Sequence, residues 1–387
     1  MATGRKGGKV QSKIQMLLYG EQGSGKSTIA SQFLYLKRPD GKPFRVLFLD
    51  GEAGSIDDMI EDIEDDGVNM DNLYIVYTQS LKEVNEYIKR ATKREPFYEL
   101  DEEGNEDIDK MILDADGEQF VPDAIVVDGT TVINLSVKQG LVEFSRKRAT
   151  VKAERDSLLG DEKFVKVEGA GLELKDYSSI NFKGQDLVLT LTGSGLHYII
   201  TAREVDEKVS VKDADGKITS VSTGKKVAEG FKQMGYNVKT EMRLYRDEHD
   251  SELVKAHVVK DRTKTYRNGQ IVEDPSLFAF QTVIDRTKDN KDVVITNRLH
   301  DAIKKDLSET EREVLGEPNS YKSNKISESN VQVGIETLRQ ELIAKASALS
   351  PKGKEEMKNK FKELGLPITF KAVKDIDIIK KALEVME

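Results

Sequence analysis

The chain contains no cysteine and only four histidines among its 387 residues. The missing thiols exclude disulfides, thiolate catalysis and cysteine-ligated zinc, and four scattered histidines argue against a histidine-based metal site. The first apolar run, residues 14–19, is far shorter than a secretory core or a membrane span. We therefore expect a soluble, cytoplasmic protein with no membrane partner.

The chain also lacks an overall positive charge. Its 60 Lys and Arg residues face 69 Asp and Glu residues, and the formal net charge is -9. Any contact with nucleic acid must therefore depend on local basic patches. The length indicates one large domain or two unequal domains.

Short apolar runs alternate with helical patterns from residue 13 to about residue 300, and this alternation predicts an α/β fold with a mostly parallel sheet. Near-continuous apolar runs are typical of central strands that helices cover on both faces, and they occur at residues 13–19, 45–50, 73–78, 123–128 and 196–201. The segments 238–247 and 252–262 flank the turn-like sequence Glu-His-Asp-Ser and predict an antiparallel hairpin at the sheet edge.

Composition predicts the domain boundaries. We expect a flexible basic tail at 1–12, a core at 13–300 with an exposed acidic insertion at 98–120, a polar linker at 301–330, and a small α-helical C-terminal module at 331–387. The module is predicted from apolar residues with helical periodicity: Leu338, Leu342, Met357, Phe361, Leu364, Ile378, Ile379 and Leu383.

The segment after the first predicted strand has the pattern G-x-x-x-x-G-K-S, which is typical of a phosphate-binding P-loop, or Walker A motif. Glycines allow backbone N–H groups to wrap a phosphate chain, and the start of the following helix adds a partial positive charge. Lys26 is predicted to reach the β- and γ-phosphates, and the Ser27 hydroxyl to ligate Mg²⁺. The alternative is a glycine-rich turn that matches by accident. The predicted nucleotide-binding residues are Gly20, Glu21, Gln22, Gly23, Ser24, Gly25, Lys26, Ser27 and Thr28.

Hydrolysis needs one carboxylate for the metal and another for the attacking water. Asp128 ends a buried apolar strand, where its side chain faces the ligand crevice, and is the predicted metal ligand besides Ser27. Asp50 and Glu52 leave the end of the strand that follows the P-loop helix, and Glu52 is predicted to activate the water. The alternatives are a turn-capping role for Asp128 and an ordinary surface acid for Glu52. No N-K-x-D guanine-reading motif occurs, so ATP is the predicted nucleotide.

The order of these elements resembles the RecA-type recombinase core. The P-loop is followed by FLDGEAGSID at 48–57, AIVVDGT at 124–130, YIITARE at 198–204 and HVVKDRTK at 257–264. The chain is most similar to phage-encoded RecA-like ATPases that assist single-strand annealing, over about residues 13–285. The resemblance implies a Mg²⁺-dependent ATPase that assembles on single-stranded DNA and promotes annealing or strand exchange in phage recombination or replication.

The resemblance also implies catalytic roles. Glu52 activates the water, and either Thr201 or Arg203 senses the γ-phosphate and couples it to a DNA-binding loop. Lys260 and Arg262 match two cations that a neighbouring subunit supplies to the ATP, in the manner of an arginine finger. The alternative for this pair is an exposed edge strand whose charges discourage aggregation.

Two local patches are candidates for single-stranded DNA binding. The first follows the Asp128 strand and comprises Lys138, Arg146, Lys147, Arg148, Lys152 and Arg155. The second lies within 203–233 and comprises Lys208, Lys212, Lys217, Lys225, Lys226 and Lys232, with Phe231 available for base stacking. A solvated helix and a simple hairpin are the alternatives.

The expected partners are single-stranded DNA, further copies of the chain in a filament or a ring, and a single-stranded-DNA-binding protein. Two other functions stay open. A ring-shaped helicase or helicase loader would use the same core, and a nucleotide-gated interaction protein would bind ATP with negligible turnover.

Overall fold

The computed structural model of the protein describes residues 4–212, 218–315, 342, 345, 351–364, 367, 381–383 and 385. The chain divides into two compact units, 1–297 and 298–387. The first unit holds the predicted sheet, and the range 331–387 predicted as a helical module falls within the second unit and is described only in part.

The first unit alternates strands and helices. In chain order they are β1 (Gln15–Gly20), α1 (Lys26–Ser31), β2 (Val46–Asp50), α2 (Ile60–Asp65), β3 (Leu73–Tyr77), α3 (Leu81–Lys93), β4 (Tyr98–Leu100), β5 (Glu106–Met111), β6 (Ala124–Asp128), α4 (Thr130–Arg155), α5 (Gly160–Glu168), α6 (Leu174–Gly193), β7 (His197–Lys212), β8 (Ile218–Ala228), α7 (Met234–Asn237), β9 (Thr240–Arg246), β10 (Val254–Asp261), β11 (Ile271–Glu273) and α8 (Gln281–Asp285). Short 3₁₀ turns occur at Gln32–Tyr35, Asp57–Met59, Met70–Asn72 and Leu277–Phe280.

Within the described residues, nine strands form one sheet. Its order is β11-β10-β9-β1-β7-β6-β2-β3, and β8 pairs with β7 outside this path. The strands from β9 to β3 are parallel, whereas β8, β10 and β11 run antiparallel to their neighbours. The predicted α/β class, mostly parallel sheet and edge hairpin are confirmed. The prediction of a central strand at 73–78 is wrong, because β3 is the last strand of the sheet and Tyr77 is exposed.

The buried parts of the central strands are mostly apolar because both faces of the sheet are covered. In β1, Met16 and Leu18 join one buried cluster, while Leu17 and Tyr19 join the other. Burying one side chain of this size contributes roughly 1.5–3 kcal/mol. A strand with two buried faces therefore shows no polar alternation in its sequence.

The parallel arrangement brings the carboxyl ends of four strands to one edge of the sheet. Gly20 pairs with Arg203 of β7, and Asp50 of β2 pairs with Asp128 of β6. The P-loop and the predicted acidic residues therefore meet at this edge, as ligand sites do in open parallel sheets.

Helix α4 is much longer than the strand before it. Its 26 residues span about 39 Å at ~1.5 Å per residue, whereas the five residues of β6 span about 17 Å at ~3.3 Å per residue. The buried residues in the second half of α4 are all small, namely Ser145, Ala149 and Ala153, and this half packs beside α5 and α6. We call residues 143–177 the helical outgrowth.

Two predicted peripheral segments contain backbone pairing. The backbone N–H of Gln11 donates to the Lys291 carbonyl at 3.0 Å and Val10 forms a bridge with Lys291, so the end of the predicted flexible tail is paired. In the acidic insertion, β4 and β5 form a separate two-stranded antiparallel sheet.

The second unit contains helices α9 (Leu299–Leu315) and α10 (Pro351–Glu363). The first half of the predicted linker is therefore helical. Leu342, Phe361 and Leu383 are buried, and Leu364 is half exposed. The predicted positions Leu338, Ile378 and Ile379 lie outside the described residues. No helix in the described part of the chain combines the length and the apolar character that crossing a membrane requires.

Candidate nucleotide-binding site

A cavity of about 680 Å³ lies at the carboxyl edge of the sheet. The whole P-loop from Gly20 to Thr28 lines it, together with Glu52, Asp128 and Arg203. All nine predicted nucleotide-binding residues therefore surround one space, and both predicted carboxylates border it.

The P-loop glycines serve two different physical needs. Gly23 and Gly25 have φ angles of 68° and 78°, in the left-handed region that glycine adopts without strain. At Gly20 the constraint is space, because a β-carbon would lie 1.9 Å from the carbonyl oxygen of Leu244 on β9. No side chain caps the N-terminus of α1 at Gly25, so its first N–H groups stay available for an anion.

The Lys26 ammonium group folds back over the loop that precedes it. Its Nζ donates to the carbonyl oxygen of Glu21 at 2.6 Å and to that of Gly20 at 3.3 Å. Burial lowers the pKa of Lys26, and the nearby carboxylates of Glu52 and Asp128 oppose that shift. A phosphate oxygen would offer this half-buried cation a charged acceptor in place of two neutral carbonyls.

Asp128 is the centre of a hydroxyl cluster. Its Oδ2 accepts from the Ser27 hydroxyl at 2.8 Å and from the Ser55 hydroxyl at 2.5 Å, and its Oδ1 accepts from the Thr201 hydroxyl. Carboxylate and hydroxyl oxygens suit Mg²⁺, which is usually held by one or two protein ligands together with phosphate and water. The described residues contain no cluster of three or more His, Cys, Asp or Glu that could bind a metal alone. Ser27 and Asp128 therefore fit a magnesium ion that arrives with a nucleotide.

Only one of the two sensor candidates reaches the cavity. Thr201 is 1% exposed, and its hydroxyl accepts from the Gly129 N–H at 2.8 Å while it donates to Asp128. Arg203 lines the cavity, and its Nε donates to Glu52 Oε1 at 3.1 Å. Thr201 orients the Asp128 carboxylate, and Arg203 borders the space that a phosphate would occupy.

Asp50 shapes the loop that carries Glu52. Its buried carboxylate accepts three backbone N–H groups, from Glu52 at 2.8 Å, Gly54 at 2.7 Å and Ser55 at 2.8 Å. Because these bonds use both carboxylate oxygens, Asp50 holds the loop, and Glu52 is the carboxylate that projects into the cavity.

Sequence reasoning missed five polar residues that line this cavity, namely Ser55, Glu204, Glu229, Arg246 and Glu252, and two of them contact predicted site residues. Ser55 binds Asp128, as described above. Arg246, at the end of β9, donates from Nη2 to the Gly23 carbonyl oxygen at 2.7 Å and lines the cavity. No local pattern marks either residue, since each reaches the site through the folding of a loop or through the position of β9 beside β1.

Lys260 and Arg262 do not reach the cavity of their own chain. Strand β10 runs antiparallel to β9, so Lys260 pairs with Glu241, near the amino end of the parallel strands. Its Nζ donates to the backbone carbonyls of Gly235 and Tyr236, and Arg262 is exposed. That Lys260 and Arg262 contact the ATP of a neighbouring subunit stays a prediction.

The predicted stacking role of Phe231 is wrong. This side chain is 1% exposed and belongs to the buried cluster on one face of the sheet. It packs over Gly184 of α6, where an added β-carbon would lie 2.4 Å from the Phe231 Cβ. The glycine opens a notch that the ring fills, so Phe231 cannot meet a base.

The arginines of the basic patch on α4 are paired with nearby acids, and DNA contacts of this patch stay a prediction. Arg146 contacts Glu143 at 3.0 Å and Glu168 at 3.2 Å, and Arg148 contacts Asp176 at 2.8 Å. Arg155 pairs with its neighbour Asp156. The remaining lysines form no ion pair within the described residues: Lys138, Lys147 and Lys152. The helical outgrowth carries eight basic and eight acidic residues, so it is not a positively charged surface.

The second patch lies on the β7–β8 hairpin. Lys226 pairs with Asp206 at 2.9 Å, whereas Lys208, Lys212 and Lys225 form no ion pair in the part of the hairpin that is described. Lys217 lies outside the described residues. The lysines of this hairpin remain the better candidates for phosphate contacts.

No protein-family model matches the chain, and no curated protein matches it. Among solved structures, the chain is similar to a KaiC-like protein from the hyperthermophilic archaeon Pyrococcus horikoshii OT3. The identity is 15%, the match covers 69% of this chain and 99% of that chain, and the TM-score is 0.33. A likeness of this size carries no information on activity, so the function must be argued from the geometry of the site.

Proposed function

We propose that the protein is a Mg²⁺-dependent ATP hydrolase of the RecA-like type. The observation that carries this proposal is the 2.8 Å contact between Ser27 and Asp128 in a cavity that also holds Lys26 and Glu52. A hydroxyl and a carboxylate in contact beside a P-loop lysine are the protein groups that a magnesium nucleotide requires.

Each group has a distinct task. Lys26 and the loop N–H groups bind the β- and γ-phosphates, while Ser27 and Asp128 hold the metal, whose charge offsets that of the phosphates. Glu52 orients and deprotonates the attacking water as a general base. Arg203 binds Glu52 in this structure and can exchange this carboxylate for the γ-phosphate.

The test separates binding from turnover. Lys26→Ala is expected to lose ATP binding, and Glu52→Gln is expected to bind ATP but hydrolyse it poorly. Glu61→Gln is a matched control, since Glu61 is an exposed acid outside the cavity. Equilibrium binding of a fluorescent ATP analogue and phosphate release, each with and without Mg²⁺, measure both steps. Normal turnover in Lys26→Ala would refute the P-loop assignment.

We further propose that the ATPase assembles on single-stranded DNA and promotes annealing or strand exchange in phage recombination or replication. The motif order described above and the lysines of the β7–β8 hairpin support this proposal of a DNA-dependent function. The hydrolysis rate per subunit should rise with protein concentration and with single-stranded DNA. A rate indifferent to DNA would remove the recombination function and leave the ATPase standing.

One observation favours a nucleotide-gated switch as the second candidate. Glu52, the proposed base, is paired with Arg203 in this structure, and a carboxylate that is paired with a cation is less available to a water molecule. Tight ATP binding with negligible turnover at every DNA and protein concentration would select this function. Directional unwinding of a forked duplex would instead select the ring helicase.

A further inference from the structure

The first half of the P-loop lies against the end of strand β9. The backbone N–H of Glu21 donates to the Leu244 carbonyl oxygen at 3.3 Å. Two residues further along β9, the Arg246 side chain donates from Nη2 to the Gly23 carbonyl oxygen at 2.7 Å. Residues 20–23 are therefore positioned by β9, whereas the second half of the loop leads directly into helix α1.

Two of the three cations that line the cavity form no ion pair in the described part of the chain. Arg203 pairs with Glu52, whereas the side chains of Lys26 and Arg246 donate only to backbone carbonyls. The second acceptor of Arg246 is the Ser251 carbonyl oxygen, in the turn between β9 and β10. Because the other charged groups of the cavity are acidic, the two unpaired cations are the side chains that can attract a phosphate chain. The acidic residues of the lining are Glu21, Glu52, Asp128, Glu204, Glu229 and Glu252.

The bond from Arg246 fixes the direction of one peptide group of the P-loop. In a trans peptide the carbonyl and the following N–H point to opposite sides, so the Ser24 N–H points away from Arg246. Gly23 has φ 68°, and a glycine allows its peptide groups to rotate at little steric cost. A carbonyl turned into the loop would place a negative dipole where phosphate oxygens need N–H donors. Arg246 therefore holds this peptide in the orientation that accepts an anion.

We propose that Arg246 is a positioning residue for nucleotide binding. It fixes the Gly23–Ser24 peptide and keeps a second cation beside the phosphate site, and its bond to Ser251 joins the P-loop to the β9–β10 turn. This inference rests on the proposed function and adds to it a residue that lies more than 200 positions from the P-loop motif.

The first test separates binding from chemistry. Arg246→Gln removes the charge from an exposed side chain, so the urea midpoint should be unchanged. The affinity for a fluorescent ATP analogue should fall about tenfold, which is the smaller effect expected for a lost charged hydrogen bond. At saturating ATP, kcat should stay within about twofold, because Arg246 contacts neither Glu52 nor Asp128. Arg246→Lys keeps a charged donor for the Gly23 carbonyl and should recover most of the affinity.

Arg267→Gln is the matched control. Arg267 is an exposed arginine between β10 and β11 and does not line the cavity, so its variant should bind ATP like the wild type. Equal affinity in all four proteins would overturn the proposal, and so would a lower kcat with unchanged affinity, since Arg246 would then act on the chemical step. If the wild type itself binds no ATP, the proposed function fails.

Hydrogen exchange tests the same contact without nucleotide, so it decides on Arg246 even if the proposed function fails. In Arg246→Gln, the amides of residues 20–25 should exchange faster, because the loop has lost the bond that fixes its glycine peptide. The amides of β6 should keep their wild-type rates. Unchanged exchange at 20–25 would rule out the positioning role, and faster exchange with normal ATP affinity would reduce Arg246 to a structural contact and overturn the proposal as well.

Discussion

Gly129 connects strand β6, which ends at Asp128, to helix α4, and its replacement by alanine tests the position of Glu52. The residue has φ 78° and ψ 40° and caps the N-terminus of α4. A β-carbon added there would lie 2.4 Å from the Glu52 Cγ. Gly129→Ala therefore strains the backbone and displaces the proposed base.

The two effects have different sizes. The left-handed conformation costs a non-glycine residue roughly 1–2 kcal/mol. The free energy of unfolding of a typical domain is about 5–15 kcal/mol, so this cost is only a part of it. The protein should stay folded, but Glu52 must move by about 1 Å to regain normal contact. A displacement of that size in a reacting group can reduce the rate by ~10²-fold. We expect kcat to fall about that much, while ATP affinity, which depends on the P-loop, changes little.

Gly140→Ala is the matched control. Gly140 lies in the same helix, and a β-carbon there meets nothing within 4 Å. The Gly140→Ala variant should have a free energy of unfolding in urea that is about 0.5–1 kcal/mol higher, and its kcat should be unchanged. If Gly129→Ala hydrolyses ATP at the normal rate, Glu52 is not the base, or its position does not matter.

Three further changes test other parts of the structure. Asp50→Asn removes the charge that three backbone N–H groups share, and it should lower the free energy of unfolding by about 1.5–3 kcal/mol; a normal urea midpoint would contradict this assignment. Phe231→Ala should cost roughly 3–5 kcal/mol because the ring fills the notch over Gly184, with no change in DNA affinity per folded molecule; a selective loss of DNA binding would restore the stacking hypothesis. Arg262→Ala and Lys26→Ala should each be inactive alone but recover ATPase activity when mixed, and no recovery in verified mixed assemblies would contradict the transfer between subunits.

The parts of the site that could be predicted are local in sequence. The P-loop, Asp128 and Glu52 each follow a strand that its apolar run identifies. Parallel strands end at one edge, so the meeting of these residues follows from the fold class. Asp50 was grouped with Glu52 by spacing alone, whereas the structure assigns it to the loop backbone.

The features that sequence reasoning missed depend on contacts between distant segments. The ion pairs of the arginines in α4 could not be predicted because two of the acids, Glu168 and Asp176, belong to other helices. Phe231 follows the strand that carries Lys225 and Lys226, and its ring is buried because it fills the notch over Gly184, a residue of the distant helix α6. Arg246 lies at the site because β9 pairs with β1. No local sequence pattern predicts that these two strands are neighbours.

The size of the Glu52–Arg203 interaction limits how DNA could control hydrolysis. The two side chains are 32% and 56% exposed, and an exposed ion pair contributes at most about 1 kcal/mol, which corresponds to about fivefold in rate. A cation supplied by a neighbouring subunit can contribute ~10³- to 10⁵-fold. If single-stranded DNA stimulates hydrolysis by much more than tenfold, release of Glu52 cannot be the main cause, and DNA must act by bringing subunits together. The stimulation should then disappear in Arg262→Ala but persist in Arg203→Ala; the reverse pattern would place the control at Arg203.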